Sequence, residues 1–151
     1  MADLADYSRL AARDHGLCVV STVRADGTVQ SSLVNAGVLA DPVDQPSRAV
    51  DVVGFVVRGD ARKLVNLRER RRATLVAHAG YEWVAVEGPV ELAGPDDPLP
   101  GVDAEGLRLL LRAIFTAAGG THDDWPAFDA AMVAERRAAV LVRPVRVYSN
   151  A

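Results

Sequence analysis

Lysine is almost missing from this sequence. Of seventeen Lys and Arg residues, Lys63 is the one lysine. A bias toward Ala, Arg, Val and Gly, of the kind a GC-rich genome imposes, accounts for the scarcity but does not choose position 63. Cysteine is equally rare. Cys18 stands alone in the apolar run LCVVSTV, where a thiol acts as a small buried hydrophobe. One cysteine can form no disulfide within the chain, which fits a reducing, cytoplasmic setting. The first residues, MADLADYSRL, carry no signal-peptide pattern. No apolar run approaches the roughly 20 residues that span a bilayer. Excess positive charge is missing too: the net charge is −3, so nothing draws the whole chain to nucleic acid or an anionic membrane. Neither G-x-x-x-x-G-K-[ST] nor G-x-G-x-x-G occurs, which leaves a nucleotide-triphosphate machine without its usual phosphate cradle. His15, His78 and His122 lie far apart, without metal-ligand spacing, and no metal is expected.

What is present is a chain of 151 residues, 50% hydrophobic, long enough for one domain with a core. The spacing of Leu4, Tyr7, Leu10 and Ala11 predicts a helix from Asp3 to about Arg13, with its stop near Gly16. A β-branched strand follows at 17–23. Asp26-Gly27 marks a hairpin turn, and a more polar return strand covers about 28–38. A looser stretch with two prolines, 40–49, leads to a buried strand at 50–57. Helical spacing returns from Ala61 to about Arg70, with Leu64 and Leu67 facing the core. Residues 73–79 and 82–92 read as strands joined near Gly80, and residues 94–101 as a turn-rich connection. Amphipathic helices follow at 103–118 and about 127–137, and one last strand ends the chain in AAVLVRPVRVY. Short sequential strands joined by hairpins predict an α+β fold. The expected form is an antiparallel split barrel of six or seven strands in one domain, with peripheral helices and a helical insertion at about 103–137. The leucine-rich face of helix 103–118 is read as core or dimer contact.

Seven of the basic residues fall between positions 58 and 72: Arg58, Arg62, Lys63, Arg68, Arg70, Arg71 and Arg72. Only Asp60 and Glu69 oppose them. Arg68 to Arg72 sit at the expected C-terminal end of the helix, where the helix dipole favours cations. Arg62 and Lys63 occupy the first turn, where the dipole disfavours them and backbone N–H groups point outward. Two cations at a helix start make an anion site, and Gly59 lets backbone approach a bound group. Ordinary surface charge at a helix start is the plainer reading. Lys63 and Asn66 share a helix face, apart from that of Leu64 and Leu67. A flavin-like cofactor needs only cations for its phosphate and a flat slot of backbone and small polar groups. The polar strand 30–35 offers such a slot.

STVRADGTVQSSLVNAGV, VVRGDARKLVNLRERRRATLVAHAGYEWVAVEGPVEL and RPVRVY together resemble the pyridoxamine 5'-phosphate oxidase-like split-barrel superfamily. The similarity is greatest to its flavin/deazaflavin oxidoreductases that use coenzyme F420, and it covers about residues 8–148. K-x-x-N-L followed by a basic run, here Lys63 to Leu67, is its most specific piece. The VEG turn, Val86 to Gly88, is the next. The resemblance implies a homodimer with the cofactor in a groove between subunits, and hydride transfer between a reduced deazaflavin and an electron-poor small organic molecule. It implies FMN as the alternative cofactor, or a non-catalytic carrier of flavin, deazaflavin or haem. By motif, Lys63 and the loop Val57, Arg58, Gly59, Ala61 and Arg62 would bind the phosphate or acidic tail. Gln30, Ser31, Ser32, Val34 and Asn35 would run beside the ring, Asn66 would brace the lysine or the loop, and Trp83 would approach from the other subunit. No catalytic side chain is implied, since the cofactor carries the chemistry.

The chain departs from the family at Val56 and Val57, where many relatives place Ser or Thr. The 40–49 loop is long enough to reshape a substrate mouth. The C-terminal VLVRPVRVYSNA lacks the pattern of vitamin B6 oxidases, so vitamin B6 synthesis is not expected. GGTHDDWP, with His122, either borders the substrate mouth or caps the next helix through Asp123 or Asp124. A nucleic-acid role for the basic segment lacks interleaved aromatics and overall positive charge.

Overall fold

A computed structural model describes residues 1–42 and 51–151. Helix α1, Leu4–Ala12, opens on Asp3, whose carboxylate accepts the Asp6 N–H while Asp6 accepts the Asp3 N–H in return. That reciprocal cap fixes where the helix begins. Four strands and a helix follow: β1 Leu17–Val23, β2 Val29–Ala40, β3 Asp51–Val57, α2 Arg62–Glu69 and β4 Arg72–Ala79. The rest of the chain is β5 Glu82–Ala93, α3 Ala104–Ala117, α4 Trp125–Ala134, β6 Ala138–Val142 and β7 Arg146–Ser149. The strands run β4-β1-β2-β3-β6-β5, and the β4–β5 pairing closes this row into an antiparallel six-stranded barrel, with β7 added on β5. The fold is the expected α+β split barrel. The expected 40–49 loop falls outside the described residues from position 43 on, as does Val50 at the start of the expected third strand.

Strand alternation sorts the apolar residues into two layers. Val20, Val53, Phe55, Leu75, Val86 and Val140 point into the barrel, where Tyr7 and Leu10 of α1 and Leu64 and Leu67 of α2 join them. Burying each leucine is worth about 1.5–3 kcal/mol. Val52 and Leu141 point outward and meet Leu110, Leu111 and Ile114 of α3 and Phe128 of α4. Asp103 caps α3 by accepting the Gly106 N–H at 2.7 Å. Asp124 caps α4 by accepting the Ala127 N–H at 3.1 Å, so this helix begins at Trp125, two residues before its expected start. Gly37 lets α3 end directly on β2, because a Cβ there would lie 2.3 Å from the Ala117 carbonyl carbon.

The last expected strand is two strands. Pro144 has no N–H to give a ladder, and the chain changes partner register around it. β6 pairs with Val90–Ala93 of β5, and β7 with Val84–Glu87. Between them Arg143 donates its N–H to the Pro89 carbonyl at 2.9 Å, and Val145 to the Glu87 carbonyl at 3.0 Å. A Cβ on Gly88 would stand 1.8 Å from the Arg143 carbonyl oxygen. The expected VEG turn is therefore the interior of β5, where two backbones cross and only glycine fits. The basic run also differs from expectation. α2 ends at Glu69, so only Arg68 lies in its last turn. Arg68 is held by a bidentate pair with Asp97, at 2.8 and 2.9 Å. Arg70 donates to the Val23 carbonyl and Arg72 begins β4. A specific carboxylate, more than the helix dipole, accounts for Arg68.

Candidate functional site

α2 starts without a capping side chain. Its N-cap is Ala61, which makes no side-chain hydrogen bond, and its first turn contains no acid. Arg62 and Lys63 occupy that turn, Arg62 exposed and Lys63 half-buried. Neither makes an ion pair among the described residues, whereas Arg58 faces Asp60 at 3.3 Å and Glu135 at 3.9 Å. Burial, and then the nearby Arg137 guanidinium, hold the Lys63 ammonium below the usual lysine range. An anion placed here relieves both effects. Gly59 pins the preceding loop to the end of α4. Its N–H donates to the Glu135 carbonyl at 3.1 Å, and a Cβ would meet the Arg136 carbonyl oxygen at 2.7 Å.

The structure divides the expected ring-side residues between the two faces of β2. Gln30, Ser32 and Val34 turn toward the barrel interior, while Ser31, Leu33 and Asn35 turn outward, by the alternation of their exposure. Ser31 Oγ lies 2.8 Å from Ser21 Oγ, and Asn35 Nδ2 donates to the His15 carbonyl at 2.8 Å. Val57 is buried in the barrel core, so only its backbone faces the loop. Asn66 lies beneath α2, away from solvent. Its Nδ2 donates to Thr22 Oγ1 at 3.1 Å and to Gln30 Oε1 at 3.3 Å. These bonds pin the helix to β1 and β2. Asn66 bonds to Thr22 and Gln30 and not to Lys63, so any effect on that lysine passes through the helix. Trp83 is on β5, its ring edge-on to Tyr148 at 6.0 Å, and its backbone N–H donates to Asn150 Oδ1 at 3.0 Å. Within one chain it does not meet Lys63 or Asn35 in a shared cavity.

A cleft of about 620 Å³ opens where β2, β3 and the lead into β6 come side by side. Asn35, Val56 and Arg137 form one side of it, and Phe115, His122 and Phe128 of the helical insertion the other. Arg137 joins this cleft to the Lys63 corner and donates to Glu135 Oε1 from Nε at 3.2 Å and Nη2 at 3.1 Å. A cleft of this size suits a small organic ligand, and the cationic corner at its end suits a ligand with an anionic tail. The sequence reading missed Arg137. It ends an Glu-Arg-Arg run after a helix, which by itself reads as ordinary C-terminal basic charge. Among the described residues no three His, Cys, Asp or Glu side chains gather to hold a metal ion. No helix among them is long and apolar enough to cross a membrane.

Comparison with protein families and with curated proteins finds no match. Comparison with solved structures does. The conserved hypothetical protein Rv2991 of Mycobacterium tuberculosis superposes with a TM-score of 0.68 at 16% identity, over 99% of this chain and 84% of that one. A structure described as an F420 reductase gives 0.56 at 20% identity, over 87% and 88%. A pyridoxamine 5'-phosphate oxidase-related, FMN-binding protein from Nostoc punctiforme gives 0.61 at 12% identity, over 97% and 80%.

Proposed function

We propose that this chain, which has the split-barrel fold of the pyridoxamine 5'-phosphate oxidase-like superfamily, is an F420-dependent oxidoreductase with FMN as the alternative cofactor. The observation that carries the reading is the corner at the start of α2. Lys63 and Arg62 stand there without an acidic partner among the described residues, and half-buried Lys63 lies beside a third cation, Arg137, which also lines the cleft. A protein gains nothing in stability from such an arrangement, so its use is to hold an anion. Lys63 and Arg62 grip the cofactor's phosphate or acidic tail. Asn35 on β2 and Val56 on β3 give the ring a floor, and α3 with α4 keeps water off the opposite side. When bound, a reduced deazaflavin supplies hydride to an electron-poor carbon. The protein's part is then alignment and exclusion of water. The F420 reductase and the FMN-binding neighbour share this fold.

A second copy of the chain would complete the site. Register places Leu33, Val19, Val76, Ala85 and Tyr148 in one row across β2, β1, β4, β5 and β7. Leu33 is 66% exposed and Tyr148 39% exposed. A homodimer packed over this row would cover both and bring the partner copy's strand β5 toward the cofactor groove.

Titration of F420 and of FMN into wild type and Lys63→Ala, each followed by absorbance and by sedimentation, tests the reading. Loss of a charge-assisted contact weakens the preferred cofactor by about 10- to 100-fold, with unchanged circular dichroism and a dimeric mass. Equal affinity in wild type and variant would remove Lys63 from the site. Tight binding without hydride transfer to any acceptor would leave a carrier.

A further inference from the structure

Phe115, His122, Trp125 and Phe128 form an aromatic cluster on the insertion side of the cleft, with ring centroids 5.1 to 6.1 Å apart. One member differs from the others in having a fixed polar edge. His122 Nδ1 lies 3.0 Å from the Asp124 backbone nitrogen. That nitrogen can only donate, so Nδ1 accepts and carries no proton. The ring proton is therefore on Nε2, which has no hydrogen-bond partner among the described residues. The Asp124 N–H belongs to the N-cap of α4, so the helix start itself selects the tautomer and aims the ring. His122 is exposed and lines the cleft, facing the side that Asn35 and Val56 provide.

We propose that this cluster is the acceptor subsite of the cleft. It takes a planar conjugated carbonyl compound, packed on Phe115 and Phe128, with the carbonyl oxygen accepting a hydrogen bond from His122 Nε2–H. The inference rests on the oxidoreductase reading for the cleft's purpose and adds the substrate class. Apolar ring faces favour a flat molecule over a flexible or charged one. An imidazole N–H is a donor and cannot pair with a second donor, so the oxygen of a ketone or enone fits and an ammonium group does not. The Nε2–H would hold the oxygen where negative charge builds as hydride from the reduced deazaflavin adds, and a proton from water would complete the product.

The test needs no cofactor. The chain has two tryptophans, and the indole N–H signal of Trp125 is assigned by its persistence in Trp83→Phe. Wild-type protein is titrated with 1-indanone and with indane, two molecules of one shape that differ by the carbonyl oxygen. The expected result is a shift of the Trp125 signal by both, with 1-indanone bound about five- to tenfold more tightly, the ratio one neutral hydrogen bond supports. His122→Phe keeps an aromatic ring and removes the Nε2 donor, together with the exposed Nδ1 contact to the Asp124 N–H, which water can replace. It should abolish the preference while indane affinity and the melting temperature stay unchanged. A preference that survives in His122→Phe, or a Trp125 signal moved by neither compound, overturns the proposal. Cofactor affinity at Lys63, measured on the same variant, stands or falls separately, so failure of the subsite is distinct from failure of the oxidoreductase reading.

Discussion

Replacing Asn66 by alanine separates two roles that the family resemblance leaves merged. In the structure Asn66 is 3% exposed and Thr22 1% exposed, so water does not reach the bonds between them. The substitution deletes donation to Thr22 Oγ1 and to Gln30 Oε1. Thr22 retains its own hydroxyl donation toward Gln30 at 3.5 Å, a long and weak contact. Two neutral hydrogen bonds contribute about 0.5–1.5 kcal/mol each, so the loss is about 1–3 kcal/mol. For a chain of this size a loss of about 2 kcal/mol lowers the melting temperature by about 4–8 °C. Urea denaturation should show the midpoint falling with its slope unchanged. Cofactor affinity should fall by less than in Lys63→Ala, because the lysine remains and only its helix is loosened. Unchanged stability together with lost cofactor affinity would refute this account and make Asn66 a direct ligand.

Two further outcomes follow from the buried groups. Tyr7 is fully buried beside Cys18, its hydroxyl without a nitrogen or oxygen partner among the described residues and with only the weakly bonding thiol at hand, and burial pushes its pKa up. Tyr7→Phe should stabilise the fold by about 1 kcal/mol, and a lower urea midpoint would show that the hydroxyl is bonded after all. Lys63 titrates below the ordinary lysine value of 10.5 in the folded chain, so its charged form opposes folding at neutral pH. That opposition fades as pH rises through the lowered value toward 10.5. Lys63→Met should therefore melt above wild type at neutral pH, by a margin that shrinks across this window. A margin independent of pH would show that burial does not strain the ammonium.

Local signals carried much of the fold. LCVVSTV is β1 with the predicted ends, because an uninterrupted β-branched run bounded by Gly16 and a hairpin turn leaves little choice. The Lys63 corner was legible for a similar reason: a helix start and its first-turn charges are neighbours in sequence. What escaped depends on neighbours distant in the chain. The run Gln30 to Asn35 reads as one polar slot, yet alternation in a strand packed on one face sends half of it inward. Pro144 divides the last strand because β5 presents a different stretch to each half. Arg68 meets Asp97 across 29 positions. Arg137 reaches the cleft only because β6 lies beside β3, a pairing set by barrel closure and by no short motif.

The segment bearing α3 and α4 leaves the barrel at Ala93 and rejoins it at Ala138, one residue before Ala139, which faces Ala93 across one rung. Its departure and return points would thus be joined by a short hairpin if the intervening helices were exchanged for others. The Lys63 corner leans on that segment only at its last residues, where the Gly59 N–H meets the Glu135 carbonyl and Arg137 lies beside the lysine. Nature, or an engineer, can therefore trade this helical lobe for another on the same barrel, provided the replacement keeps Glu135 to Arg137 and still shields Val52 and Leu141 from water.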